Sequence, residues 1–202
     1  MRADSGIFRE LEHELMTNDQ PSDYLETLLD KDWFREEPFK ELYLLSKTQQ
    51  SPIHHPEGSA WKHTMLVVDE AAKVKDQSTN PRAFMWAAFL HDIGKPKTTR
   101  NRKGKITAYD HDRIGARLAH EFLTTFIEED EFVKYTCSLV RWHMMILYVT
   151  KELPFGDKVQ MAKEVKIKDI GLLGMCDRMG RHGANEEDEK QAIKLFYDKV
   201  EI

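Results

Sequence analysis

The run Phe84-Met85-Trp86-Ala87-Ala88-Phe89-Leu90 is followed without a break by His91-Asp92. An unbroken apolar run of this kind specifies a helix buried on every side. Ending such a helix on an imidazole and a carboxylate is costly unless something compensates, and a metal ion is the strongest compensator available. His63, His111, His143 and Asp177 stand far from this doublet and from one another in the chain. Their separations are much too wide for a zinc finger, so each must come from a different helix and be brought to one place by the fold. Four imidazoles and two carboxylates are the ligand set that a pair of divalent ions needs.

The faces on which these residues fall point the same way. His91 shares a helical stripe with Phe84, Ala87 and Ala88. His143 lies one turn from Leu139 and beside Val140, and His111 lies one turn from Gly115 and two from Leu118. Asp177 lies one turn from Leu173 and two from Ile170. All are therefore directed inward. A single inward histidine is as readily a hydrogen-bonded core residue as a ligand. An inward carboxylate is harder to place without a cation or several donors, and the bland reading would have to hold for six side chains at once. The mixed imidazole and carboxylate set, with no thiolate, suits one or two ions of zinc, iron, manganese, nickel or cobalt, with magnesium also admissible. Asp92, next to a ligand histidine, is the natural bridge between two ions ~3.5–4 Å apart.

Other polar residues are placed around this set. Lys95 follows Asp92 by three positions, between Gly94 and Pro96, where it either approaches a phosphate or satisfies a helix end. Lys97, Arg100, Arg102, Lys103 and Lys105 form a local basic cluster, read equally as attraction for an anionic substrate or as a solvated hairpin. His54 and His55 lie in the stretch Ser51-Pro52-Ile53-His54-His55-Pro56-Glu57-Gly58, a rigid loop whose histidines either line the mouth of the site or only order the loop. Arg178 and Arg181 flank Asp177, and at least one of them faces solvent. His55, Arg178 and Arg181 are the candidate substrate contacts.

Periodicity predicts an all-α fold. Helices are expected over 5–17, 22–31 with Ser22 as cap, 38–47 started by Pro38, and 59–75. Asn80-Pro81 opens the helix that ends at the doublet. A small β-hairpin or ordered loop is expected around 98–107. Helices then follow over 111–127 with Asp110 as cap, over 131–145, over 169–181, and from Asn185 to the end. The acidic first turn Glu186-Glu187-Asp188-Glu189 suits the helix dipole. With 202 residues and no linker, a single domain over 1–202 is expected, with its core at about 38–182, a helical extension over 1–37 and a C-terminal helix over 186–200.

A net charge of −5 provides no global basic field for nucleic acid. Cys137 and Cys176 lie in apolar helical stretches without CxxC spacing and read as buried reduced thiols. No apolar run is long enough to span a membrane, and Met1-Arg2-Ala3-Asp4-Ser5 carries no apolar signal core. A cytoplasmic protein is the expectation.

The order His63, His91-Asp92, Asp177 resembles the signature of the HD-domain metal-dependent phosphohydrolase superfamily. The segment His55-Pro56-Glu57-Gly58-Ser59-Ala60-Trp61-Lys62-His63-Thr64 is similar to the HPEGxxWxHT segment of HD domains attached to bacterial tRNA nucleotidyltransferases. Phe89-Leu90-His91-Asp92-Ile93-Gly94-Lys95-Pro96, Asp110-His111-Asp112-Arg113-Ile114-Gly115-Ala116 and Cys176-Asp177-Arg178-Met179-Gly180-Arg181 match the same subgroup. The region ahead of the HD core is too short for a nucleotidyltransferase head, so an HD domain without that head is expected. The resemblance also implies that His111 and His143 join Asp92 around a second ion. The activity it implies is hydrolysis of a phosphomonoester or a (cyclic) phosphodiester of a nucleotide-like small molecule, through a metal-bridging hydroxide, with Asp92 and Lys95 as the catalytic residues. The alternatives are a non-catalytic, metal-dependent nucleotide-binding or sensor module and a di-iron HD oxygenase.

Overall fold

Asn80 accepts a hydrogen bond from the Ala83 amide at 3.1 Å, and Pro81 occupies the first turn, so the central helix starts where its sequence says it should. The computed structural model describes residues 5–200; the N-terminal residues read above as lacking a signal core lie, up to residue 4, outside the described residues. In chain order the helices begin with α1 (Ser5–Thr17), α2 (Ser22–Thr27) and α3 (Lys40–Leu45), then α4 (Ala60–Val74) and α5 (Pro81–Leu90). A short α6 (Lys95–Thr98) leads into the hairpin of β1 (Arg100–Arg102) and β2 (Lys105–Thr107). α7 (His111–Phe126), α8 (Asp130–Trp142), α9 (Met145–Thr150), α10 (Lys158–Glu164), α11 (Ile167–Met179) and α12 (Glu186–Val200) complete the all-α fold.

Every α5 residue from Ala83 to Leu90 is buried. α1, α4, α8 and α11 all pack against this helix, which is what an all-round apolar helix requires. The N-terminal helix shares the same core. Phe8 stacks on Trp86 with ring centroids 4.6 Å apart, and Glu12 accepts from Trp86 Nε1 at 3.0 Å and from Arg82 Nε at 2.7 Å. At the hairpin, Arg100 pairs with Thr107 and Arg102 with Lys105. Its two turn residues, Lys103 and Gly104, both have positive φ (53° and 81°), the backbone that closes a two-residue hairpin with the correct twist.

Several expected helix starts differ. Ser22 does not cap α2; its amide and hydroxyl donate to Asp69 of α4 at 3.0 and 2.6 Å, and the stretch 22–31 splits into α2 and a 3-10 turn. Pro38 lies in the turn before α3 rather than in its first position. Asp110 precedes α7 with φ 59° and makes no side-chain cap. Ser59 caps α4 through the Lys62 amide, and Asn185 caps α12 through the amides of Glu187 and Asp188. α9 and α10 were not expected from periodicity; both are short. Among the described residues no helix is long and apolar enough to cross a membrane, and Cys137 and Cys176 are both free.

Candidate metal centre

Helix ends converge on one point beneath the surface. His91 ends α5, His143 ends α8 and His111 begins α7; His63 lies in the first turn of α4 and Asp177 in the last turn of α11. Two close approaches make this convergence feasible. A Cβ on Gly94 would fall 2.1 Å from the His111 carbonyl oxygen, so the start of α7 presses directly on the turn after the His-Asp doublet. A Cβ on Gly180 would fall 2.6 Å from Val67 Cγ2, so the end of α11 presses on α4.

Three imidazoles are oriented alike. The Nδ1–H groups of His91, His111 and His143 donate to the carbonyls of Ala88 (2.8 Å), Ala108 (2.7 Å) and Val140 (2.7 Å). Each Nε2 lone pair is thereby aimed at the centre. His91 Nε2 is buried with no hydrogen-bond partner. His111 Nε2 and His143 Nε2 stand 3.2 Å apart. Burial pushes His143 down to about 4, helped by the charges of His111 and His91. Burial likewise lowers His111, against the pull of Asp92. Neither ring therefore takes a second proton near neutral pH, and two lone pairs oppose each other unless a cation lies between them.

The carboxylates complete the arrangement. Asp92 Oδ2 is 3.2 Å from His91 Nε2 and 2.7 Å from Lys95 Nζ, and Asp92 Oδ1 is 3.6 Å from His111 Nε2. Burial alone would raise this acid, but the His91 and Lys95 charges hold it well below the usual carboxylate range. Asp177 Oδ1 is 2.9 Å from His63 Nε2, and Arg181 reaches the same carboxylate at 3.2 and 3.3 Å. Burial again opposes ionisation of Asp177, and Arg181 and His63 outweigh it. His63 is raised: burial works against its charge, while Asp177 and Glu57 favour it.

Three groups of donor atoms are compact enough to hold an ion: His55, Glu57 and His63; His63, His91 and Asp92; and Asp92, His111 and His143, the last two being the ones that share a residue with the His-Asp doublet. Asp92 belongs to these last two. The unpartnered His91 nitrogen and the facing lone pairs of His111 and His143 fit a divalent cation, and the nitrogen and oxygen donors suit a transition metal.

The remaining candidates divide. Lys95 opens α6 rather than ending a helix; it is buried, hydrogen-bonded to Gln50 and ion-paired with Asp92, so its reading as a helix-end lysine loses its basis. His55 reaches the site through Glu57, with its Nδ1 2.9 Å from Glu57 Oε1, while burial and the Lys95 charge lower it to about 3. Arg181 joins the cluster. Arg178 is engaged instead by Glu189 of α12. His54 is exposed. The hairpin's arginines and lysines are largely solvent-facing, with Lys97 paired to Glu41 at 2.9 Å. Sequence reasoning missed Glu57 and Gln50. Glu57 stood within a motif segment six residues before His63; Gln50 carried no signal. Side-chain exposure gives the opening its direction. It is 29% at Arg181, 15% at His55, 11% at Asp177 and 10% at Lys95, against 2% at Asp92 and none at His63.

A family model described as HD domain matches residues 60–170. Among curated proteins, the chain is 33% identical over 169 residues to the multifunctional CCA protein of Actinobacillus pleuropneumoniae serotype 5b, covering 80% of this chain and 41% of that protein. It is 29% identical over 149 residues to the CC-adding tRNA nucleotidyltransferase of Thermus thermophilus, covering 73% and 33% respectively. It is 31% identical over 123 residues to the A-adding tRNA nucleotidyltransferase of Deinococcus radiodurans, covering 57% and 27%. The chain thus spans less than half the length of these relatives.

Proposed function

This chain belongs to the HD-domain family, and from that premise we propose that it is a metal-dependent phosphohydrolase acting on a phosphomonoester or (cyclic) phosphodiester of a nucleotide-like molecule. The observation that carries the reading is the Nε2 to Nε2 approach of His111 and His143 at 3.2 Å beside Asp92, with His91 Nε2 unpartnered. Divalent ions, when bound, supply hydroxide near neutral pH and positive charge for phosphoryl oxygens. His63, His91, Asp92 and Asp177 would hold one ion, and Asp92, His111 and His143 a second.

The chain's own residues provide the rest. Lys95 and Arg181 lie at the exposed side of the cluster, where a phosphate must enter. Arg181 Nε is buried without a partner, which leaves a donor for a phosphate oxygen in a place where an unused donor is costly. Lys95 Nζ, fixed by Asp92 and Gln50, is a preorganised positive charge for the developing phosphoryl anion. His55 lies between this rim and His63. Relatives whose names specify tRNA nucleotidyl transfer match the chain over this region, which favours a nucleotide-like substrate over other phosphoesters. In this proposal residues 1–202 act as one unit, with the N-terminal helices serving the core.

Elemental analysis of freshly purified protein, followed by a panel of nucleoside monophosphates and cyclic nucleotides with the metal found, tests the reading. Turnover that disappears on chelation and returns with the metal is the expected result. A fully metal-loaded protein that binds nucleotides and turns none over would refute hydrolysis in favour of a binding module.

A further inference from the structure

Four imidazoles reach the centre, and only one is held from behind by a charge. His91, His111 and His143 lean on neutral backbone carbonyls three residues earlier in the chain. His63 Nδ1 instead faces Glu57 Oε1 at 3.0 Å, with the Gly180 carbonyl at 3.2 Å. The Glu57 side chain is 1% exposed and is fixed from further directions. Its Oε1 accepts from His55 Nδ1 at 2.9 Å, and its Oε2 accepts from the His182 amide at 3.4 Å. It cannot turn away from His63 without giving up these contacts.

A carboxylate behind a ligating imidazole fixes its tautomer and raises its basicity. The two ligand groups also differ in charge. Asp177 and Glu57 stand on the His63 side, offset in part by Arg181; the His111 and His143 side has Asp92, which both share and which Lys95 pairs, and Asp112, which Arg141 pairs. We propose that Glu57 is a positioning residue that orients His63 and makes the two metal positions unequal. The position bounded by His63, His91, Asp92 and Asp177 holds its ion tightly, and the position bounded by Asp92, His111 and His143 exchanges. This inference rests on the metal-centre reading under Proposed function.

Titration of the metal-stripped full chain with Mn²⁺, followed by calorimetry, tests it in the parent, Glu57→Gln and His111→Ala proteins. Glu57→Gln keeps the size and an acceptor oxygen and removes the charge. The parent should take up two ions in resolved steps. Glu57→Gln should weaken the tighter step by about 10–100-fold and leave the weaker one within about threefold. His111→Ala should abolish the weaker step and spare the tighter. Nitrogen-15 spectra of the parent loaded with Zn²⁺ should show His63 protonated at Nδ1. Equal weakening of both steps, an unmoved tighter step (which would give the proton to the Gly180 carbonyl) or an unprotonated His63 Nδ1 would each overturn the inference. The spectral arm needs no variant, so an unprotonated His63 Nδ1 overturns the inference even where Glu57→Gln fails to fold. A parent that binds no divalent ion overturns the proposed function as well, whereas intact binding unmoved by Glu57→Gln overturns this inference alone.

Discussion

Gly94→Ala is the smallest change that should dismantle the centre without touching a ligand. Gly94 has φ −78°, which any residue adopts, so its role is not conformational. What it supplies is space. A Cβ there would lie 2.1 Å from the His111 carbonyl oxygen and 2.7 Å from the Gly115 amide nitrogen, where Cβ contacts below 3.0 Å are essentially never found. Both obstacles are backbone atoms of α7 and cannot rotate aside. The first turn of α7 must retreat by roughly 1 Å, and overpacking of this kind typically costs about 1–3 kcal/mol. Backbone against backbone puts the cost at the upper end, near 3 kcal/mol. The same turn carries His111, and metal–ligand distances tolerate only about ±0.2 Å. Urea unfolding should therefore show a lowered midpoint with an unchanged slope, and metal content should drop from two ions per chain to about one. Gly104→Ala is the control. Its Cβ meets nothing within 4 Å, but its φ is +81°, so it should lose about 1–2 kcal/mol from backbone strain and keep both ions. A Gly94→Ala protein with parental stability and full metal content would refute the argument that this contact places His111.

Other outcomes follow from the same geometry. Asp92→Ala should empty both positions, because Asp92 is a member of both ligand groups; full metal content in that variant would remove it as the bridge. Lys95→Ala should leave metal content near parental and lower turnover by about 100-fold or more, the usual loss for one preorganised donor; parental turnover on every accepted substrate would show that Lys95 only balances Asp92. The metal-free protein should lose stability as pH falls from about 6.5 towards 4. His55 and His143 are held down to about 3 and about 4, and His111 is lowered too, so the unfolded chain takes up protons first in this window. His63 is raised and contributes in the opposite sense, its stabilisation present below its unfolded pKa and lost as pH rises through its folded one. Three against one gives a net loss, and thermal melts in chelator that stay flat between pH 7 and pH 4.5 would contradict it.

What was legible in the sequence, and what was not, separates by the range of the interaction involved. Asn80 and Asn185 were readable as caps because the amides they accept from lie two or three residues away. Ser22 and Asp110 have the same residue chemistry, but Ser22 spends its hydroxyl on Asp69, 47 positions along the chain, and Asp110 takes a left-handed turn that swings α7 towards Gly94. Inward stripes identified His91, His111, His143 and Asp177, since a buried face is a local pattern. That two of those nitrogens meet at 3.2 Å is a property of the packing between α7 and α8, and no stripe encodes it. Glu57 and Gln50 act from loop segments that have no periodicity to read. Arg181 and Arg178 could have been told apart: four residues beyond Asp177 is the same helical face, and one residue beyond is not.

The use of helix ends explains why so polar a cluster can sit at the bottom of an apolar core. The last four carbonyls of a helix have no intrahelical partner and must be satisfied by something else. Ala88 lies in the last turn of α5 and Val140 in the last turn of α8, and both carbonyls accept from the Nδ1–H of the histidine that caps their own helix. One hydrogen bond thus does two things: it satisfies a buried carbonyl that would otherwise destabilise the helix end, and it turns the opposite nitrogen towards the centre. The ligand orientation therefore comes from groups the fold had to satisfy in any case. His63 and His111 lie at helix starts, where amides rather than carbonyls are left over; His111 leans on the Ala108 carbonyl ahead of α7, whereas His63 faces a carboxylate from outside its helix.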